Sequence, residues 1–125
     1  MPFAERRKYP RIPETVSWKV TVGSSIYATQ TRNLSCGGAL CQLPQSLPVM
    51  TKLEIAFDLP PGPQGHSARS IRCIGVVVRQ ESRVDPQGIR TYLTAIYFLD
   101  LKVEDRQCIA EFVLRSMLAH DDRRS

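Results

Sequence analysis

Two strand-like runs meet at the stretch RNLSCGGA, residues 32–39. It combines two hydrogen-bonding side chains, Asn33 and Ser35, with the glycine pair Gly37-Gly38. Glycine permits a positive φ or a close approach of the backbone to another group, while asparagine and serine supply donors and acceptors. Two interpretations follow: a tight turn whose polar side chains bond their own backbone, or a turn that holds a ligand.

A second polar cluster lies in RRKYPR, residues 6–11, where Arg7 and Arg11 stand four positions apart. Pro10 argues against a regular helix, so both guanidinium groups can turn towards one anion or one guanine edge. The first eleven residues hold four basic side chains and one acidic side chain, and the whole chain has a net charge of +5. This concentration of charge favours an anionic partner, and a solvated basic tail is the alternative.

Taken together, the two motifs resemble the PilZ domain family. The family pattern is R-x-x-x-R followed by [DN]-x-S-x-x-G. The chain matches every specified position, at Arg7, Arg11, Asn33, Ser35 and Gly38. Residues 75–79 and 95–98 are also similar to late strands of the family, so the resemblance spans about residues 5–118.

Length and composition favour one globular domain. A chain of 125 residues can bury a core without disulfides or metal, and 42% hydrophobic residues are too many for general disorder. No apolar run approaches the length of a membrane span, and the N-terminus lacks the apolar stretch of a signal peptide, so a cytoplasmic protein is expected. Four cysteines without a C-x-x-C spacing, beside two histidines, predict reduced, mostly buried thiols and no metal site or cofactor. These cysteines are Cys36, Cys41, Cys73 and Cys108.

The residue pattern predicts an all-β fold with a C-terminal helix. Alternation from Thr15 to Val22 indicates a half-buried strand with Trp18 in the core. Further strands are predicted at 26–32, 38–43, 52–58, 70–80 and 89–99. Six short strands separated by turn signals favour a six-stranded antiparallel β-barrel. Residues 1–14, with prolines and charges, are expected to form a flexible arm, 15–119 the barrel and helix, and 120–125 a disordered tail.

The predicted helix, from about Lys102 to Ala119, carries more apolar surface than one contact with a barrel requires. The apolar sector contains Val103, Ile109, Ala110, Phe112, Val113, Leu114, Met117 and Leu118. Two interpretations remain open: a helix sunk deeply into its own barrel, or a homodimer formed through the helix.

The resemblance implies cyclic di-GMP as the ligand, since arginine pairs with guanine N7 and O6 or with phosphate oxygens. It implies contacts from Arg7 and Arg11 of the arm and from Asn33, Ser35 and Gly38 of the barrel. A sixth contact is implied for Arg79, which alternation places on the same strand face as core residues. Arg6, directly before the first motif arginine, resembles the family arrangement that accepts two intercalated ligand molecules.

The function expected from the sequence is that of a cyclic di-GMP effector whose arm closes on the ligand and which signals to an unidentified downstream protein. No nucleophile and base pair and no paired catalytic carboxylates stand out, so an enzyme is not expected. One alternative is a small barrel that binds single-stranded nucleic acid, which the 7% aromatic content disfavours. Another is a PilZ-like interaction module that binds no nucleotide.

Overall fold

The computed structural model describes residues 16–60 and 69–124, with side chains described as far as Ala119. The arm predicted at residues 1–14, with Arg6, Arg7 and Arg11, lies outside the described residues.

Six strands form a closed barrel in the order β1-β2-β3-β6-β5-β4, and every neighbouring pair is antiparallel. The strands are β1 (Ser17–Val22), β2 (Ser25–Leu34), β3 (Gly38–Leu43), β4 (Lys52–Leu59), β5 (Arg69–Val84) and β6 (Arg90–Phe98). A single helix in the described part of the chain, α1 (Val103–Arg124), follows the last strand. The predicted all-β barrel with a C-terminal helix is confirmed, and β5 is longer than predicted at both ends.

Alternating side chains build the core as the sequence predicts. In β1, Trp18 and Val20 are buried inside the barrel while Ser17 and Lys19 are exposed. Inside, the Trp18 ring meets Phe57 edge to face at 5.9 Å, and Phe57 stacks on Phe98 at 6.4 Å between ring centroids. Such aromatic pairs add to the free energy gained by burying their area, so they fasten β1, β4 and β6 together.

Helix α1 packs on the barrel through one face only. Ile109, Phe112 and Val113 are buried in the core cluster, whereas Leu114 and Leu118 are exposed. The interpretation that the helix is sunk deeply into its barrel is therefore wrong. Within the described parts of the chain, no helix has the length and apolarity needed to span a membrane.

The helix also runs further than predicted. It ends at Arg124 instead of Ala119, so residues 120–124, predicted as part of a disordered tail, have a helical backbone. The physical reason is the absence of a stop signal, because residues 120–124 contain neither glycine nor proline.

Candidate functional site

The motif turn, which we define as Ser35–Gly37, connects β2 to β3 and is held by its own hydrogen bonds. The Ser35 amide donates to the Gly38 carbonyl oxygen at 2.9 Å, and the Gly37 amide donates to Ser35 Oγ at 3.2 Å. Ser35 Oγ also lies 3.3 Å from the Gly38 carbonyl oxygen. Because Ser35 is buried at 3% exposure, its hydroxyl shapes the turn from inside.

Gly38 begins β3 and faces the backbone of β6. A Cβ atom at this position would collide with the carbonyl oxygen of Ile96. The sequence suggested two uses for the glycine pair, a positive φ or a close backbone approach. Positive φ among the described glycines occurs at Gly23 and Gly88, so Gly38 serves the close approach between β3 and β6.

Asn33 belongs to strand β2, whereas the sequence pattern suggested that it lies in the turn. The register of β2 against β3 shifts between Thr31 and Asn33, so Arg32 is the extra residue of a β-bulge. Asn33 therefore pairs with Leu40 on the outside of the barrel. Its Oδ1 atom is buried and has no hydrogen-bond partner among the described residues. A buried acceptor without a donor costs free energy, so this atom favours the approach of a donor.

Arg79 is also turned outward by a bulge. Strict alternation predicted that Arg79 shares a face with the core residues Ile71 and Val77, and this prediction is wrong. The register of β5 against β6 shifts between Val77 and Arg79, so Arg79 pairs with Ala95 and is exposed. The following residue, Gln80, returns to the inner row and pairs with the buried Thr94.

The two bulges bring Asn33 and Arg79 into one row across four neighbouring strands. Asn33 lies opposite Leu40, Leu40 opposite Ala95, and Ala95 opposite Arg79. We call this set the outer row. Neighbouring strands lie about 4.8 Å apart, so about 14 Å separates the backbones at its two ends. Half-buried Leu40 and Ala95 form an apolar floor between an amide and a guanidinium group.

Tyr97 lies beside the outer row and was not predicted from the sequence as a site residue. It pairs with Gly38 and follows Ala95 by two residues on β6, so both point out of the barrel. Its side chain is 52% exposed, which leaves a ring available for stacking. Alternation could have identified it, since Ile96 and Phe98 are core residues on either side of it in the sequence.

Helix α1 is hydrogen-bonded to the motif turn. Arg106 donates a hydrogen bond from its guanidinium group to the Cys36 carbonyl oxygen at 2.9 Å. The preceding residue, Asp105, is buried and bonds Arg69 Nε at 2.8 Å, which fixes the start of the helix to β5. The motif turn and the first turn of the helix are therefore one connected unit.

The cysteines have free thiols, of which Cys36, Cys41 and Cys73 are buried and Cys108 is half-buried. Burial raises the pKa of the Cys36 thiol, and the neighbouring Arg106 opposes that rise. Burial also raises the pKa of Cys41 and of Cys73 to about 12. The interpretation of these residues as mostly buried thiols is confirmed. Within the described ranges, no group of three or more His, Cys, Asp or Glu side chains could hold a metal ion.

The predicted site residues thus have three placements. Asn33 and Arg79 share the outer row, while Ser35 and Gly38 shape the turn that ends β2 and begins β3. Arg6, Arg7 and Arg11 lie outside the described residues, so their contacts stay predictions.

Comparison with known proteins adds a family and a set of similar folds. The family model of the PilZ domain matches residues 5–115. A search among curated proteins found no significant match.

Three solved structures illustrate the similarity of fold. The PilZ domain of YcgR from Escherichia coli, solved with c-di-GMP, has a TM-score of 0.65 at 17% identity, covering 94% of this chain and 98% of that one. Bacillus subtilis MotI/DgrA, an inhibitor of motility, has a TM-score of 0.73 at 22% identity, covering 91% of this chain and 52% of that one. The K. pneumonia MrkH complex with c-di-GMP has a TM-score of 0.68 at 17% identity, covering 96% of this chain and 55% of that one. This chain therefore spans about half the length of MotI and MrkH, and the likeness establishes the barrel fold.

Proposed function

This chain belongs to the PilZ domain family, and from that premise we propose that it binds cyclic di-GMP on the outer row and acts as an effector. The observation that carries the proposal is the buried Asn33 Oδ1 atom without a donor among the described residues. Guanine offers N–H donors along one edge, which is the chemistry that this acceptor lacks.

The rest of the outer row suits the same ligand. Leu40 and Ala95 provide an apolar floor on which a flat base can lie, and Tyr97 adds an exposed ring beside it. At the far end, the Arg79 guanidinium can pair with guanine N7 and O6 or with a phosphate. Along the outer row, the Asn33 acceptor is followed by an apolar floor and then by the Arg79 cation. This order suits a purine nucleotide that carries a phosphate.

Arg7 and Arg11 complete the site in this proposal. They match the first half of the family motif, and they supply the charge that two phosphates need. The arm is proposed to order over the ligand, so that binding creates a new surface for a downstream protein. Arg6 is proposed to admit a second, intercalated ligand molecule. The protein is thereby an effector and not an enzyme.

Calorimetric titration with cyclic di-GMP tests the site. Asn33→Ala, Arg7→Ala and Arg11→Ala should each weaken binding by about tenfold or more, because each removes a hydrogen-bonding group with no replacement. Asn33→Ala should leave the free energy of unfolding of the empty protein undiminished, because the lost oxygen has no partner among the described residues. A stoichiometry of two ligands that falls to one in Arg6→Ala would support the intercalated pair.

A matched control separates the site from net charge. Arg79→Ala should weaken binding, whereas Arg83→Ala should not, because Arg83 lies further along β5 and is paired with Glu81 at 3.1 Å. Equal losses in both variants, or parent affinity in Asn33→Ala, would contradict the proposed site. Titration with an oligonucleotide tests the alternative barrel function, which predicts binding with a steep salt dependence.

A further inference from the structure

Helix α1 carries an exposed line of residues at the spacing of a coiled-coil seam. Its members are Val103, Gln107, Ala110, Leu114 and Met117, which follow one another at intervals of four, three, four and three residues. At 3.6 residues per turn this spacing keeps all of them on one side of a helix. We call them the α1 seam.

The α1 seam lies on the side of the helix opposite to its buried residues. Val103 is 76% exposed, Leu114 56% and Met117 37%, whereas Ile109 and Phe112 are buried on the opposite side. All five seam residues line a groove of about 590 Å³, together with Cys36 of the motif turn. The apolar members of the seam thus have no cover from the described part of the chain. An apolar line of this length on a helix is typical of an interface.

We propose that a second copy of this chain covers the α1 seam, with its α1 helix parallel to the first. The proposal rests on the described helix alone and does not depend on nucleotide binding.

Charge complementarity supports the parallel arrangement. In a parallel pair, Arg106 of one copy flanks the seam and faces Glu111 of the second copy. The two positions are five residues apart in sequence, which is the spacing of an interhelical ion pair. The two-fold symmetry of the dimer generates this ion pair twice. In an antiparallel pair, Val103 would instead pack against Leu114 of the second copy. Glu104 would then lie near Glu111 of the second copy, and these like charges repel. Arg106 also donates a hydrogen bond to the Cys36 carbonyl oxygen.

The polar and small members of the seam also fit a parallel pair. Gln107 would meet its own equivalent across the axis, and two amides can donate to and accept from each other. Ala110 then allows the helices to approach closely in the next layer. The seam stops after Met117, because the next position in the repeat is Asp121. Such a short seam predicts a dimer with a dissociation constant in the micromolar range, on the order of 10 μM.

Sedimentation analysis of the full chain over about 1–300 μM tests the proposal. The parent should pass from monomer to dimer, and Leu114→Glu should raise the dissociation constant at least about tenfold because it buries charge in the seam. Ile26→Glu is the control, since Ile26 is 66% exposed on the β1–β2 hairpin outside the seam. A parent that stays monomeric throughout, or equal effects of the two variants, would overturn the proposal. Both variants should keep the parent's thermal unfolding temperature as monomers, since both residues are exposed.

Two further variants test the orientation. Glu111→Arg should weaken a parallel dimer about threefold or more, because it sets a second positive charge against Arg106, whereas it would strengthen the antiparallel one. Met117→Cys should form a disulfide dimer under oxidation in a parallel pair, in which the two residues share a layer. In the antiparallel pair they would lie about 25 Å apart along the axis and could not be bridged. A tighter dimer from Glu111→Arg, or no cross-link from Met117→Cys, would overturn the parallel dimer.

Discussion

Gly38 lacks a side chain because strand β6 leaves no room for one. A Cβ atom there would meet the carbonyl oxygen of Ile96, and a backbone atom of a closed barrel cannot move aside cheaply. We therefore expect Gly38→Ala to lower the free energy of unfolding by about 3 kcal/mol, measured by urea denaturation.

Gly23→Ala is the matched control for Gly38. Gly23 sits in the β1–β2 turn with a φ of +60° and no atom within 4 Å of an added Cβ. Its substitution costs backbone strain alone, about 1 kcal/mol. A smaller loss in Gly38→Ala than in Gly23→Ala would refute the steric account of the motif glycine.

Met50 is the converse of Gly38. It has a side chain but adopts a backbone conformation that suits glycine. Its φ is 78°, and its amide donates to the Val77 carbonyl oxygen at 2.7 Å, which fixes that conformation. The side chain is 71% exposed, so its removal loses little packing. Met50→Gly should therefore raise the free energy of unfolding by about 0.5–1 kcal/mol in chemical denaturation.

The neighbouring Val49→Gly provides the comparison for Met50. Val49 is also exposed but has no positive φ, so glycine there should lower stability through added freedom of the unfolded chain. Stability changes of the same sign in both variants would count against strain at Met50.

Two β-bulges decide which side chains strands β2 and β5 present to the outside. Each adds one residue to its strand, at Arg32 and at Val78, and the residues after it change faces. Without the second bulge, Arg79 would point into the barrel, where burial of a charged guanidinium group is costly. The outer row therefore depends on irregularities in two strands that are not neighbours in the barrel.

Gln80 fixes β5 after its bulge. Its Oε1 atom accepts from the Leu47 amide at 2.9 Å, and its Nε2 atom donates to Thr94 Oγ1 at 3.0 Å. Gln80→Ala should lower the free energy of unfolding by about 1–2 kcal/mol in urea titrations, because it leaves the amide of buried Leu47 without that acceptor.

Gln87→Ala is the control for Gln80, because it removes the same side chain from the exposed β5–β6 turn. Little change in the free energy of unfolding is expected for this variant. If Gln80→Ala is as stable as Gln87→Ala, the strand is not held by these bonds.

Closure of the barrel protects its interior thiols from water. The free energy of unfolding should therefore decrease at alkaline pH. Burial raises the pKa of Cys41 and Cys73 to about 12, above the ordinary thiol value. The neutral thiols thus stabilise the fold fully below about pH 9, and the unfolded chain loses their protons first as the pH rises. Stability should fall between about pH 9 and pH 12, by up to about 1.4 kcal/mol per pH unit for each thiol.

Urea midpoints at several alkaline pH values measure this effect. Cys41→Ala should show a shallower decline than the parent, whatever its stability at neutral pH. Cys108→Ala removes a half-buried thiol and is the control. A decline in Cys41→Ala as steep as the parent's would show that the buried thiol is not responsible.

The fold was predictable because alternation and turn residues act locally. Period two alone predicts that Trp18 lies in the core, and Trp18 is buried. Strand ends were less predictable, since pairing with a neighbour extended β5 to Arg69–Val84 where the apolar pattern stops at Gln80. The motif residues Asn33, Ser35 and Gly38 were found from their order and spacing, but their different orientations were not.

By itself, the sequence determined the number of strands, the C-terminal helix, the inward rows of regular strands and the family motif, because each depends on neighbours a few residues apart. Tertiary structure alone decided that Asn33 and Arg79 face outward in one row, that Ser35 and Gly38 serve the turn, and that half of α1 stays uncovered by the described part of the chain. These features arise from register between distant strands and from barrel closure. A bulge that shifts register by one residue reverses every later side chain, and no local pattern in a single strand records that shift.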